Sequence, residues 1–179
     1  MPSSSIRRAY VSAANSVVIT EQSGLGLAAV MSRKGVRPAA IGAALGLAPS
    51  EGPGRVGDAR LALIGTGPGT WLALTEAPDP DWSLQLAHKL TGLASVSDQS
   101  GGYMVFRIGG NGARALLQHG AFIDFHPDVF RQGSAATTVI AHIGVILWQR
   151  DDTPTFDVAT FRSYAHSFRR WVETTAAAL

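Results

Sequence analysis

Asp124, His126 and Asp128 alternate with Phe125 and Pro127 in the stretch GAFIDFHPDVF, residues 120–130. In an extended chain every second side chain points the same way. An acid, an imidazole and a second acid would then share one face, as in a metal site or an acid–base pair. Pro127 opposes this arrangement, because inside a strand it removes a ladder donor. Asp and Pro together favour a turn in which carboxylates accept backbone N–H groups. The structural turn is the preferred reading, with metal or acid–base chemistry as its competitor. Arg131, Gln132 and Ser134 follow closely and extend the polar surface.

Other chemical motifs are weaker. GTGPG at 65–69 has the glycines of a phosphate loop, but such loops need a helix after them. The strand-like TWLALT follows instead, so a hairpin turn is expected. GGNGARALL leads from a strand into a helix and lacks the full GxGxxG spacing. DQSGG at 98–102 looks like a serine-protease motif, except that Gln99 separates the Asp from the Ser. No positioned His or orienting acid accompanies it, and a Gly-rich turn is expected. The five histidines, 88, 119, 126, 142 and 166, include no pair at the i, i+4 spacing of a helical zinc motif. No catalytic group, metal site or cofactor fingerprint is expected in this chain.

Composition narrows the classes further. The 179 residues are 46% hydrophobic and 16% charged, with a net charge of +2. Such a chain can bury a substantial core, and its charge density is low for a globular protein. Basic pairs such as Arg7-Arg8 and Arg169-Arg170 are scattered, too little for the basic stripe of a nucleic-acid binder. Cysteine is absent, which removes disulfides, thiolate metal sites and Cys nucleophiles. No apolar run reaches the roughly 18 residues of a membrane span, and the N-terminus lacks a signal-peptide core. A cytoplasmic protein without membrane contact is expected.

The elements that must position these residues follow from periodicity. Residues 1–15 read as a loose, flexible arm. Residues 16–58 contain the short strands SVVITEQ and GLAAVMS, a helix opened by Pro38 and stopped by Gly46, and a Gly/Pro-rich loop at 48–58. Residues 59–179 form the main domain. RLALIGTGPGTWLALTE is a hairpin, and Asp79-Pro80-Asp81 opens a helix with Trp82, Leu86, Leu90 and Leu93 on one side. ASVSDQ and YMVFRIG are strands, and Asn111 is expected to cap a short helix closed by Gly120. From 71 to about 124 the order is strand, helix, strand, strand, helix, strand, the ferredoxin-like βαββαβ lobe. A second hairpin, SAATTVIAH with GVILWQR, and the strand PTFDVAT come next. The last helix is expected to start at Ser163, with Tyr164, Phe168, Trp171 and Val172 on its packed face. The fold class is α+β with mainly antiparallel sheets. The four Trp, at 71, 82, 148 and 171, are assigned to the core.

The same residues carry a family resemblance. Asp98-Gln99-Ser100-Gly101-Gly102, then Gly120 followed by Asp124-Phe125-His126-Pro127, then Phe130 followed by Gly133-Ser134, form a series. Thr137, the hairpin from Gly144 to Trp148, Arg162-Ser163-Tyr164 and the earlier GPGTWLAL continue it. With these the chain resembles the gamma subunit of heterotetrameric sarcosine oxidase, most specifically in its C-terminal half and weakly back to about residue 25. Its N-terminus is short for that family. The resemblance implies an aminomethyltransferase-like, folate-binding type of fold. It implies alpha, beta and delta partner subunits in a complex that oxidatively demethylates sarcosine to glycine, with tetrahydrofolate accepting the one-carbon unit and hydrogen peroxide released. FAD, FMN, NAD, zinc and tetrahydrofolate are implied for the complex and none for this chain. Asp124, His126, Arg131, Arg162 and Tyr164 are the candidates for folate or partner contact. The alternative is a stand-alone folate-dependent aminomethyltransferase, in which Arg would hold glutamate carboxylates and Asp98, Asp124 or Asp157 would receive the pterin N–H groups.

Overall fold

A computed structural model describes residues 7–11 and 16–179. The chain divides into two compact units, one made of residues up to Ser23 together with Gly102–Leu179, the other of Gly24–Gly101. In the first, β1 (Arg7–Val11) pairs antiparallel with β2 (Ser16–Gln22). The remainder of the expected 1–15 arm lies outside the described residues. The chain then enters the second unit with β3 (Gly26–Ser32), α1 (Pro38–Leu45), β4 (Arg55–Gly57), β5 (Ala62–Gly67), β6 (Thr70–Thr75), α2 (Trp82–Lys89) and β7 (Ala94–Asp98). It returns with β8 (Tyr103–Gly109), α3 (Ala113–Gln118), β9 (Ala135–Ile140), β10 (Ile143–Asp151), β11 (Thr155–Phe161), a 3₁₀ turn at Arg162–Tyr164 and α4 (Ala165–Ala177). The result is α+β with antiparallel sheets and a C-terminal helix, as the periodicity indicated.

Each unit has its own sheet and core. In Gly24–Gly101 the strand order is β4-β5-β6-β3-β7. Leu63, Trp71, Ala73 and Val30 are buried with Ile41 of α1, with Leu86 of α2 and with Leu90 just after it, so both helices cover one sheet face. Helix α1 begins at Pro38, whose missing N–H costs nothing in a first turn, and ends at Gly46, held left-handed at φ 68°. In the other unit the order is β1-β2-β8-β11-β10-β9. Phe106, Ile108, Val145, Leu147, Phe156 and Val158 share one face, packed against Leu116 and Leu117 of α3 and Phe168 and Val172 of α4.

The ferredoxin-like pattern is present, but not where the sequence placed it. Strands β6 and β7 belong to one sheet and β8 to the other. Residues 120–124 form no strand, and Ala121 makes only a single bridge to Ile140. The complete βαββαβ order is instead β3-α1-β5-β6-α2-β7, whose strands lie in the sheet as second, third, first, fourth. The other unit repeats the same spatial order with β8, β10 and β11, its fourth place being taken by β2 from the start of the chain. Local pattern assigns element types, whereas pairing is decided by which strands meet across long loops.

Three further expectations change. Arg55–Gly57, inside the expected loop, pairs with Ala62–Ile64 as β4. Asn111 makes no cap; Gly112 precedes α3 without a side-chain hydrogen bond. Helix α4 is entered through the 3₁₀ turn, and Ser163 does not cap it. Its buried face is Ala165, Phe168, Val172 and Ala176, with Trp171 half-buried and Tyr164 exposed. Of the four Trp, Trp71 and Trp148 are buried and Trp82 and Trp171 are half-buried.

The β9–β10 hairpin turns through Ala141 (φ 48°) and His142 (φ 67°), a conformation that favours Asn or Gly. His142 is exposed, so His142→Gly should stabilise the protein by about 0.5 kcal/mol through relief of that strain, net of the entropy glycine costs. A urea midpoint at or below that of the unsubstituted protein would contradict this.

Candidate functional site

The segment 120–134 is a loop wired to the helix before it. Gly120 lets the turn lie against α4, since a Cβ there would collide with the Trp171 ring. Gln118 donates to the Ile123 carbonyl (3.0 Å) and accepts from the Phe125 amide (3.2 Å). Asp124 Oδ1 accepts the His126 amide at 2.7 Å, and the His126 carbonyl accepts the amides of Val129 (2.9 Å) and Phe130 (2.8 Å). His126 Nδ1 accepts the Asp128 amide at 3.3 Å and lies 3.5 Å from Asp128 Oδ2. The first contact needs a lone pair on Nδ1 and the second a proton, so one protonation state cannot hold both. The two side chains are 64% and 91% exposed. The acid–imidazole–acid series is therefore a turn that uses its carboxylate and carbonyl to bind its own amides. Among the described residues no group of three His, Asp or Glu is arranged to hold a metal ion.

The loop's anchor is Arg114 of α3, which belongs to no motif in the sequence. Its Nη1 donates to the carbonyls of Phe125 (2.5 Å) and Phe130 (2.8 Å), and its Nη2 to Gln149 Oε1 (3.0 Å). Its guanidinium also lies over the Phe156 ring, 5.2 Å from the centroid. Burial lowers its pKa and Asp152 acts in the opposite direction, but a guanidinium remains charged at neutral pH. Gln149 is fully buried and donates in turn to the Asp151 carbonyl at 2.8 Å. Phe125, Phe130 and Phe156 pack together beneath this network, with centroids 5.2–6.2 Å apart. The one signal in the sequence is an Arg among the Ala and Leu residues of the helix ARALLQ.

A second cluster lies at the other end of β11. Tyr103 and Phe161 are register partners and stack, with centroids 4.8 Å apart. Arg162 donates to the Tyr103 carbonyl at 3.2 Å. Phe161 and Tyr164 are 50% and 52% exposed, and burial raises the Tyr103 pKa. Five strand steps, about 17 Å, separate Phe161 from the Phe156 position. The candidates therefore fall into two groups: Asp124, His126 and Arg131 on the loop, Arg162 and Tyr164 at the far strand end. Arg131 is exposed, and its amide donates to Ser134 Oγ at 3.0 Å.

The remaining acids considered for pterin recognition are engaged. Asp98 accepts the Ser100 amide at 2.8 Å, which with the Ser100 hydroxyl holds its carboxyl below the usual range. Ser100 Oγ accepts the Leu27 amide at 3.0 Å, so DQSGG braces β3. Asp157 is 1% exposed and shared by two cations. Arg107 holds it bidentately (2.8 and 3.1 Å), and Arg150 reaches Oδ2 at 3.0 Å. Arg107 faces Asp157 directly across β8 and β11.

A family model for the sarcosine oxidase gamma subunit family matches residues 38–178. The heterotetrameric sarcosine oxidase of Corynebacterium sp. U-96, solved in complex with pyrrole 2-carboxylate, superposes with a TM-score of 0.84. That match has 24% identity and covers 94% of this chain and 88% of that one. The glycine cleavage system aminomethyltransferase T of Bartonella henselae superposes with a TM-score of 0.63 at 14% identity. There the match covers 88% of this chain and 47% of the transferase. A search of curated proteins finds no match.

Proposed function

The chain belongs to the sarcosine oxidase gamma subunit family, and on that premise we propose that it works by assembly, without a catalytic centre of its own. Its partners are the alpha, beta and delta subunits of a cytoplasmic complex. That complex oxidatively demethylates sarcosine to glycine, transfers the one-carbon unit to tetrahydrofolate and releases hydrogen peroxide. FAD, FMN, NAD and zinc belong to the partner chains in this scheme, and the gamma chain helps to shape the cavity in which tetrahydrofolate is loaded.

The observation that supports this reading is the contrast between engaged and exposed groups. The acids that chemistry would need are occupied: Asp98 and Asp124 accept local amides and Asp157 sits between two guanidiniums. Phe161 and Tyr164 stand half-exposed around Arg162. Tyr and Arg dominate the energetic centres of protein interfaces. Asp124, His126 and Arg131 serve as the second contact region. A free-standing transferase fits less well, because the family model that matches residues 38–178 is that of the gamma subunit.

Co-expression tests the assembly role. Tagged gamma chain should carry a flavin-containing complex through purification, and Phe161→Ser with Tyr164→Ser should reduce the recovered partner chains at least tenfold while leaving the gamma chain folded. If the isolated gamma chain bound tetrahydrofolate tightly and turned over an aminomethyl donor, the assembly role would be rejected.

A further inference from the structure

We propose that the turn Ser32–Arg37 and the hairpin bend Pro68–Gly69 form a binding site for a multiply charged small anion bearing carboxylate or phosphate groups. The two bends border an open surface depression of about 550 Å³. Arg33, Lys34 and Arg37 line it, with Glu51 as the one acid. Three cations thus fall within five residues of a chain that has only 15 Lys and Arg in all.

The backbone beneath these cations is braced. Arg33 donates its amide to the Leu93 carbonyl (2.8 Å), Val36 to Arg33 (3.0 Å) and Ser32 to Gly69 (2.8 Å). Gly35 supplies the left-handed turn at φ 81°. Gly69 is pressed against Ser32 Oγ, where a Cβ would collide. The side chains are exposed, and among the described residues none of the three has an ion-pair partner. Other arginines are engaged: Arg107 and Arg150 on Asp157, and Arg114 on carbonyls. Three like charges on a rigid turn repel one another, and a ligand with two or more anionic groups relieves that repulsion while bridging them. The guanidiniums offer flat forks that match carboxylate or phosphate oxygens, and Lys34 a point charge. The start of α1 at Pro38 adds partial positive charge of the same sign.

Titration calorimetry on the full chain in low salt tests the site, with pyrophosphate and triglutamate as separate probes. Saturable one-to-one binding of at least one probe is expected. Arg33→Ser with Arg37→Ser should weaken it at least tenfold at an unchanged melting temperature, and Glu51→Gln should tighten it about twofold to fivefold by removing the opposing charge. Pyrophosphate binding alone would identify a phosphate ligand, and triglutamate binding alone a carboxylate one. No saturable binding of either probe, or equal binding by the double variant, overturns the proposal. Loss of partner chains from the double variant with no probe binding would overturn it too, assigning the turn to an acidic protein surface instead.

Discussion

Arg114→Met should lower the stability of the protein by about 3 kcal/mol, a fall of roughly 6–12 °C in melting temperature for a chain of this size. Methionine keeps most of the side chain's length and apolar stem, so the loss isolates the guanidinium. Three acceptors are stranded: the carbonyls of Phe125 and Phe130 and the amide oxygen of Gln149. A buried acceptor without a donor costs about 1–3 kcal/mol. The sum is held near the lower end because Arg114 is only partly enclosed and water can reach the loop's rim. Arg114→Lys should recover less than half of the loss, since an ammonium cannot span both carbonyls and the glutamine as the planar fork does. Hydrogen exchange provides the local readout. Amides of Val129 and Phe130 should lose protection first, ahead of those in β10 and β11. A melting temperature within 2 °C of the unsubstituted protein would remove Arg114 from its place as the loop's anchor.

The second large effect is expected at Asp157. Asp157→Asn keeps the shape and removes the charge that Arg107 and Arg150 share. Breaking a buried pair by losing one partner costs about 3–5 kcal/mol. The two arginines keep some solvent contact, with side chains 27% and 21% exposed, which argues for about 3 kcal/mol. The penalty should depend on the cations. In an Arg107→Met, Arg150→Met background, Asp157→Leu should cost less than Asp157→Asn does in the native background, because an all-apolar replacement leaves no charge to bury. A double-mutant cycle measured by denaturant titration gives that coupling directly. Additive costs would mean that the three side chains are neighbours without being a unit.

Element types were legible in the sequence and their partnerships were not. The alternation in β2, the Pro38-to-Gly46 frame of α1 and the Gly-rich turn between β5 and β6 all appear where periodicity put them. Each depends on residues within a few positions of one another. The βαββαβ lobe was misplaced because its boundaries depend on pairings such as β2 with β8, which no local pattern encodes. Helical spacing, continued through Tyr164, puts it on a buried face. The 3₁₀ turn at Arg162–Tyr164 breaks that phase and turns the ring outward. In 120–130, Pro127 was enough to identify a turn, but what holds the turn comes from Arg114 and Gln149, the latter 35 residues further on. Asp157 was visible as a carboxylate in an apolar strand. Its two cations come from neighbouring strands, so the charge balance emerged only with the sheet.

The pairing of β2 with β8 also sets a timetable for synthesis. Gln22 lies opposite Val105, yet the whole of Gly24–Gly101 is translated between them. At 5–20 residues per second that stretch takes about 4–16 s to make. During the interval β2 has left the ribosome with no β8 to join, while Gly24–Gly101, being continuous, can collapse on its own schedule. A nascent chain therefore carries an open strand edge for seconds, the kind of edge that invites wrong pairing. Slow codons or a chaperone acting between residues 24 and 101 would change the yield of folded subunit without touching a single contact of the finished molecule.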